Sequence, residues 1–484
     1  MKSQAQMPDT GRSESAGTGE LKQRLSNRHI QLLALGGAVG TGLFLGSAGV
    51  LELAGPSMIL GYAAVGVIMF LIARYLGEML VETQVPDSFR YFAHNFWGEF
   101  PGFFSGWNCF LLYVLVGMIE LTAAGKFVQF WWPGIPTWAS ALVFFVIVNA
   151  LNFVSVRTYG ETEFWLAVIK VGAVVGMIAM GIFLLGSGKA GPDATVANLW
   201  THGGFLPNGW HGLIMSLAFI SFSFGGLEML GFTAAEAKNP KKTIPKAINQ
   251  VLFRILIFYV GSMLILMALM PWTSLLAALK AGGDTYGNSP FVMVFSVLGS
   301  KLAANVLNVV VLTAALSVYN GMVYCNSRLL YGMAREGQAP RFLAKVSSRG
   351  VPYAGILYPA AYTALCIVLN YVMPRGALEL LMSLVVAGLV LMWVIIIVTH
   401  LKFRASMQRN GKQAAFPAPF SPFTNYLCLA FMLLITVVLF LTPAVRISVY
   451  AMPFWVAAVY GAFVLQRRVV RRQRRVDETS VGVL

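Results

Sequence analysis

Charge is what this sequence has least of. Only 11% of its 484 residues are Asp, Glu, Lys or Arg, where a soluble domain carries about 25%. A chain that is 57% apolar, with mean hydropathy +0.71, cannot cover a folded surface with polar groups. That excludes an ordinary water-soluble globule. Cysteine is also scarce. Cys109, Cys325, Cys366 and Cys428 stand singly in or beside apolar runs, which excludes a disulfide framework or a paired zinc spacing and makes them packing residues. His29, His94, His202, His211 and His400 fall at the ends of apolar runs or between them, so no metal site is expected. No cluster of His, Asp and nucleophile gathers at one depth, which argues against an enzyme. Ten-residue segments of alternating polarity are missing too, which argues against an outer-membrane barrel.

What is present is a series of long apolar runs. Windows of about 19 residues place membrane spans near 29–51, 57–81, 101–130, 138–155, 163–187, 211–236, 249–271, 303–334, 353–373, 378–400, 424–442 and 448–466. The expected fold is therefore an all-α integral membrane protein of twelve transmembrane helices. Residues 1–28 are polar and lack the short apolar core of a cleavable signal, so they read as a disordered tail and the first run is expected to be retained. The formal net charge of +16 does not indicate nucleic acid, because the basic residues are spread over connectors rather than gathered in one stripe. Alternate connectors, with the span-flanking parts of both tails, hold 24 Lys and Arg, among them Lys22, Arg90, Lys242, Arg335, Arg404 and the basic tail 467–484; the remaining connectors hold 5. Basic flanks resist translocation. A bacterial inner-membrane protein with both termini in the cytoplasm is expected, with lipid as its surroundings; the sequence sets no oligomeric state.

Two runs are interrupted. Gly36-Gly37-Ala38-Val39-Gly40-Thr41-Gly42 is too rich in glycine for a stable helix interior, at about 1 kcal/mol per Gly against Ala. Five spans later, Ser221-Phe222-Ser223-Phe224-Gly225-Gly226 repeats the weakness. Paired breaks in two halves of a membrane chain point to a transporter site at the bilayer midplane. One break offers amide N–H groups and the other offers carbonyls, which together suit the carboxylate and ammonium of a zwitterion. Glycines that only permit close helix packing are the competing explanation.

Three ionisable residues fall at membrane depth, where charge is costly and commonly functional: Glu120, Lys170 and Glu228. Lys170 lies about 10 Å into its span at 1.5 Å per residue. Two readings stand for it: a lysine that releases and rebinds a proton, or a permanently charged partner of Glu120. Glu228, directly after the second break, either shapes the site or locks the unwound segment. Trp107, Phe110, Tyr113, Phe222 and Phe224 can line an apolar pocket or simply pack, and Tyr113 is assigned a gating or structural role. Arg74 and Glu78, four apart, read as an intrahelical pair.

The runs HIQLLALGGAVGTGLFLGS, VRTYGETEFW, FSFGGLEMLGFTAAEAKNPKKTIPKA and LSVYNGMVYCNSR resemble the amino-acid permeases of the amino acid-polyamine-organocation superfamily, and most of all the bacterial aromatic amino-acid and phenylalanine permeases. The resemblance implies a leucine-transporter-like fold: a first inverted repeat over 29–187, a second over 211–400, and two further helices within 424–466. It implies import of an L-amino acid coupled to protons, with no other cofactor. The α-carboxylate would meet Gly40, Thr41 and Gly42; the α-amino group would meet carbonyls of Phe222, Ser223 and Gly225, with Phe224 and Gly226 beside them. Lys170, with Glu120, would couple the proton. Exchange of one amino acid or amine for another stays open, because the superfamily includes antiporters, and transport of histidine or another neutral amino acid stays open, because Cys109-Phe110 stands where the family carries two aromatics.

Overall fold

A computed structural model describes residues 40–83, 88–154, 156–226, 240–281, 283–348 and 350–481. Gly36 to Val39 and Glu228 lie outside the described residues. Among the described residues the regular structure is helical, and nine helices are long and apolar enough to cross a membrane: Thr41–Glu82, Glu99–Gln129, Gly160–Ser187, Lys241–Leu269, Lys301–Arg335, Tyr353–Val372, Ala377–Arg409, Phe423–Leu441 and Ile447–Arg468. Two shorter apolar helices, Thr137–Asn152 and Gly209–Phe222, accompany them. The chain turns between Ser47–Ala54 and Met58–Glu82 at Gly55, where φ is +54° and an added Cβ would stand 2.6 Å from Pro207 Cγ, so there is no room for a side chain.

The helices differ in how deeply they are buried. The most apolar stretch of Glu99–Gln129 is 83% buried and that of Ala377–Arg409 is 78%, so these two form the core; Gly160–Ser187 at 22% and Ile447–Arg468 at 17% lie at the rim. Rim helices expose Trp165, Ile182, Phe183 and Phe454. A continuous apolar exterior of this kind is stable against lipid and not against water.

Each end of the bundle carries a structure the hydropathy pattern did not indicate. On the side away from the basic connectors, the segment read as a plain connector forms two short helices, Trp272–Lys280 and Pro290–Val297. They are fastened to the first helix and its neighbour by the Lys126–Asp284 ion pair, by Lys280 to Glu52 at 2.5 Å, and by the Ser289 hydroxyl donating to the Phe44 carbonyl at 2.6 Å. Phe44 and Phe291 meet edge to face at 5.2 Å.

On the basic-connector side, the expected Arg74–Glu78 pair is not formed. Arg74, Glu78 and Glu82 share one face of Met58–Glu82, and that face holds the strand of chain at 415–418. The Arg74 guanidinium donates to the Pro417 carbonyl at 2.5 Å and stacks on Phe416, while the amides of Ala418 and Ala415 donate to Glu78 and Glu82, both at 2.6 Å. A spacing of four shows only what can pair locally; the partner that wins comes from more than 300 residues away. In the C-terminal region the last helix runs on into the basic segment, over Ile447–Val481, because Arg and Gln are good helix formers whatever their hydropathy.

Candidate functional site

Within the described residues, helix begins only after Gly40 at the first glycine stretch and stops at Phe222 at the second. Gly40 has extended dihedrals (φ −143°, ψ −155°), the helix Thr41–Phe44 lasts four residues, and regular helix resumes only at Ser47–Ala54. Gly209–Phe222 ends in three successive tightened turns, from the Ser223, Phe224 and Gly225 amides to carbonyls three residues back, after which Gly226 takes φ +99°. That dihedral favours glycine and takes the chain out of the helix.

The two breaks touch. A Cβ on Gly42 would stand 2.6 Å from Ser223 Cα, and the Ser223 hydroxyl donates to the Gly42 carbonyl at 2.7 Å. Beside this junction lies a cavity. Its polar wall is Gly40, Gly42, Glu120, Ser223, Gly225 and Gly226; its apolar wall is Val116, Phe222, Val318, Met322, Val385 and Leu389. Two of the apolar residues come from Lys301–Arg335 and two from Ala377–Arg409, so with Glu99–Gln129 and the two broken segments five helical segments enclose the space.

Glu120, only 3% exposed, reaches the first break. The Thr41 hydroxyl donates to Glu120 Oε2, and the Thr41 backbone N–H interacts with the same carboxyl. Lys170 is fully buried and lies within electrostatic reach of Glu120, but the carboxylate it contacts is Glu163, at 3.8 Å. Glu163 in turn accepts from the Ser317 hydroxyl. Glu163 stands seven residues before Lys170, about two turns along the same face, and that spacing was the signal that could have found it.

The other residues singled out from the sequence divide. Phe222 forms cavity wall. Phe224 is fully buried and stacks on Tyr259 at 4.5 Å. Tyr113 is buried two turns below Glu120 on the same helix and does not line the cavity. Trp107 donates to the Gln338 carbonyl and Phe110 packs with Tyr358 and Tyr362, away from the cavity. All four cysteines are buried and none forms a disulfide.

Two tyrosines escaped notice. Tyr259 sits on a π-helical turn, Ile255–Gly261, and donates to the Ser223 carbonyl at 2.8 Å; Tyr62 lies 3.5 Å from the Ser223 hydroxyl. A π turn inserts a residue and re-aims the side chains around it, and such turns recur at functional sites. Nothing in an unbroken apolar run marks where one will form.

An apolar helical bundle enclosing two apposed breaks, a cavity and buried charge is the architecture of a multi-pass membrane transport protein. The profile of the amino acid permease family matches residues 29–476, and the chain belongs to that family. It is 58% identical over 436 residues to the aromatic amino acid transport protein AroP of Salmonella typhimurium strain LT2, covering 90% of this chain and 93% of the relative. To AroP of Escherichia coli K12 it is 56% identical over 452 residues, covering 93% and 97%. To the amino-acid permease AapA of Bacillus subtilis it is 40% identical over 451 residues, covering 93% and 96%. These relatives are transport proteins, not enzymes.

Proposed function

We propose that this protein is a proton-coupled importer of aromatic L-amino acids, with phenylalanine, tyrosine and tryptophan as its substrates. The observation that carries the reading is the cavity between the breaks. Backbone and Ser223 polarity on one side can take the two charged ends of an amino acid, and the wall of Val116, Phe222, Val318, Met322, Val385 and Leu389 can take an aromatic ring. The names of the AroP relatives support the aromatic class. In this reading the α-carboxylate lies against Gly40, Thr41 and Gly42, the α-ammonium lies against the Ser223–Gly226 turn, and Lys170 with Glu120 serves the proton.

The finer architecture belongs to the same proposal: twelve spans, inverted repeats over 29–187 and 211–400, two helices within 424–466, residence in the bacterial inner membrane, and both termini in the cytoplasm. The outer lid is then Trp272–Lys280 with Pro290–Val297, and the inner side is the one carrying the basic connectors.

Uptake of labelled phenylalanine, tyrosine, tryptophan and histidine into proteoliposomes, with and without an imposed proton gradient, tests the function. Uphill accumulation of the three aromatics that collapses with the gradient is expected. Accumulation indifferent to the gradient, or uptake that requires internal amino acid, overturns it.

A further inference from the structure

Resting on that reading, we infer that Ser289 is the residue through which the outer lid grips the first break: its hydroxyl supplies the hydrogen bond that unwinding takes from the Phe44 carbonyl, and this lets the lid close over a bound amino acid. The unwinding leaves carbonyls over. In a continuous helix the Gly46 amide would donate to Gly42 and the Ala48 amide to Phe44; here they donate to Thr41 and to Leu45, both at 3.0 Å. Two serine hydroxyls from elsewhere in the chain take the released acceptors. Ser223, in the second break, donates to the Gly42 carbonyl at 2.7 Å, and Ser289 donates to the Phe44 carbonyl at 2.6 Å. The first bond ties the two breaks together. The second ties the break to the lid.

Ser289 is diverted from an ordinary local task. It is the N-cap of Pro290–Val297, where a serine hydroxyl normally accepts from the amides of its own first turn. This hydroxyl makes no such bond. Both Ser289 and Phe44 are buried. The rest of the lid follows the same segment of the first helix. Phe291 meets Phe44 edge to face at 5.2 Å, a side chain at Gly49 would run into the Tyr286 hydroxyl, and Glu52 takes Lys280 at 2.5 Å and the Thr285 hydroxyl at 3.2 Å. Against Glu99–Gln129 the lid is held by the Lys126–Asp284 ion pair.

The Phe44 carbonyl makes different demands in the two positions of the lid. With the lid lifted, the outer path is open to water, and water satisfies the carbonyl. With the lid down, water is excluded and the carbonyl depends on Ser289. A buried acceptor stranded without a donor costs the full desolvation of that group. Loss of the hydroxyl therefore disfavours the closed position alone, by roughly tenfold, and leaves the lifted position as it was. Ser289 is in this sense a positioning residue: it touches the backbone of the break, not the amino acid.

Uptake kinetics in proteoliposomes separate this role from packing. Per folded transporter, Ser289→Ala should lower the maximal rate of phenylalanine uptake roughly tenfold. KM should stay unchanged or fall, because the lifted, substrate-accepting form becomes more populated. A wild-type maximal rate, or a loss carried by KM, overturns the inference. The second arm reads the lid directly. Ser289→Cys puts a thiol, a weak donor, under the lid, where a membrane-impermeant maleimide reaches it only when the lid is lifted. The four native cysteines are buried, and wild type treated in parallel gives their background. In vesicles that present the outer face, labelling without substrate and clear slowing by saturating phenylalanine are expected. Absence of labelling, or labelling indifferent to phenylalanine, removes Ser289 from the lid's movement. Failure of the wild type to accumulate aromatic amino acids in the same preparation sinks the importer reading instead.

Discussion

Glu78 and Glu120 are both carboxylates enclosed by helices, and they sit in opposite circumstances. Glu78 is fully buried and held from several sides. Its Oε2 pairs with His400 Nε2 at 3.0 Å and accepts from the Ala418 amide at 2.6 Å, while Oε1 lies in an ion pair 2.8 Å from Arg404 Nε. The imidazole is fixed from its other side by Asn425 at 2.9 Å and stacks on Tyr75 at 4.6 Å. Glu120 faces a cavity, its direct partner is one threonine, and its nearest cation is already shared with another carboxylate. Burial alone therefore says little about role. A carboxylate gripped by several rigid elements at once is a fastening, since moving it would strand the buried groups that depend on it. One that rests on few donors beside an open space can exchange them for those of a ligand.

The contrast breaks most visibly in stability. Glu78→Ala leaves the buried His400 and the partly exposed Arg404 without their carboxylate, and removes one of the ties that hold 415–418 to the helix. Removing one partner of such a cluster costs about 3 kcal/mol or more, so a large fall in melting temperature and yield is expected for purified protein in detergent. Glu120→Gln should melt close to wild type in the same assay. The reverse order would mean that Glu120 is the fastening.

A smaller, local disturbance should separate transport from folding. In Gly42→Ala the new Cβ would meet the Ser223 backbone at 2.6 Å, so the two breaks must move apart. Gly134→Ala meets nothing within 4 Å and serves as the control. Uptake should fall at least about tenfold, the equivalent of 1.4 kcal/mol, in the first variant and stay unchanged in the second, with both proteins still folded. Wild-type uptake by Gly42→Ala would show that the junction is only packing. Next in size is selectivity. Leu389→Ala removes apolar wall opposite the breaks, and pocket changes of this kind are worth about 1–3 kcal/mol. Competition assays should show tryptophan gaining on phenylalanine by several-fold, whereas unchanged ratios would place the ring elsewhere.

How far the sequence revealed all this depends on whether the cause is local. The runs 57–81 and 424–442 emerge as Met58–Glu82 and Phe423–Leu441, because hydropathy and end signals act within the segment itself. The breaks were legible for the same reason: glycine weakens a helix wherever it stands. The partners of the charges were not. Thr41 is 79 residues from Glu120 and Glu78 is 322 from His400, and no periodicity encodes contacts between helices. His400 read as a span end because its helix was expected to stop there, yet that helix continues to Arg409. Tyr259 reaches the second break only through a π turn, which depends on packing rather than on any residue type.

The smallest expected effect comes from a third carboxylate, Glu336, at the rim of the basic-connector side. Its two oxygens meet the Arg90 guanidinium at 2.6 Å each, and Gln338 accepts from the same guanidinium at 2.9 Å. The Arg90 hydrogen bonds hold the Glu336 carboxyl below the usual range, outweighing the opposing effect of partial burial. A carboxyl lowered on folding adds stability above its unfolded pKa and loses it as pH falls through the lower, folded value. The contribution is thus constant through neutral pH and disappears only in acid. Because the Glu336 side chain is 55% exposed, solvent screening limits it to about 1 kcal/mol or less. Glu336→Gln should lower the melting temperature slightly at pH 7, and the gap from wild type should close as both are taken below about pH 4, near the free carboxylate value. A gap that persists undiminished in acid would mean that Glu336 acts through shape rather than charge, as an ordinary packing residue would.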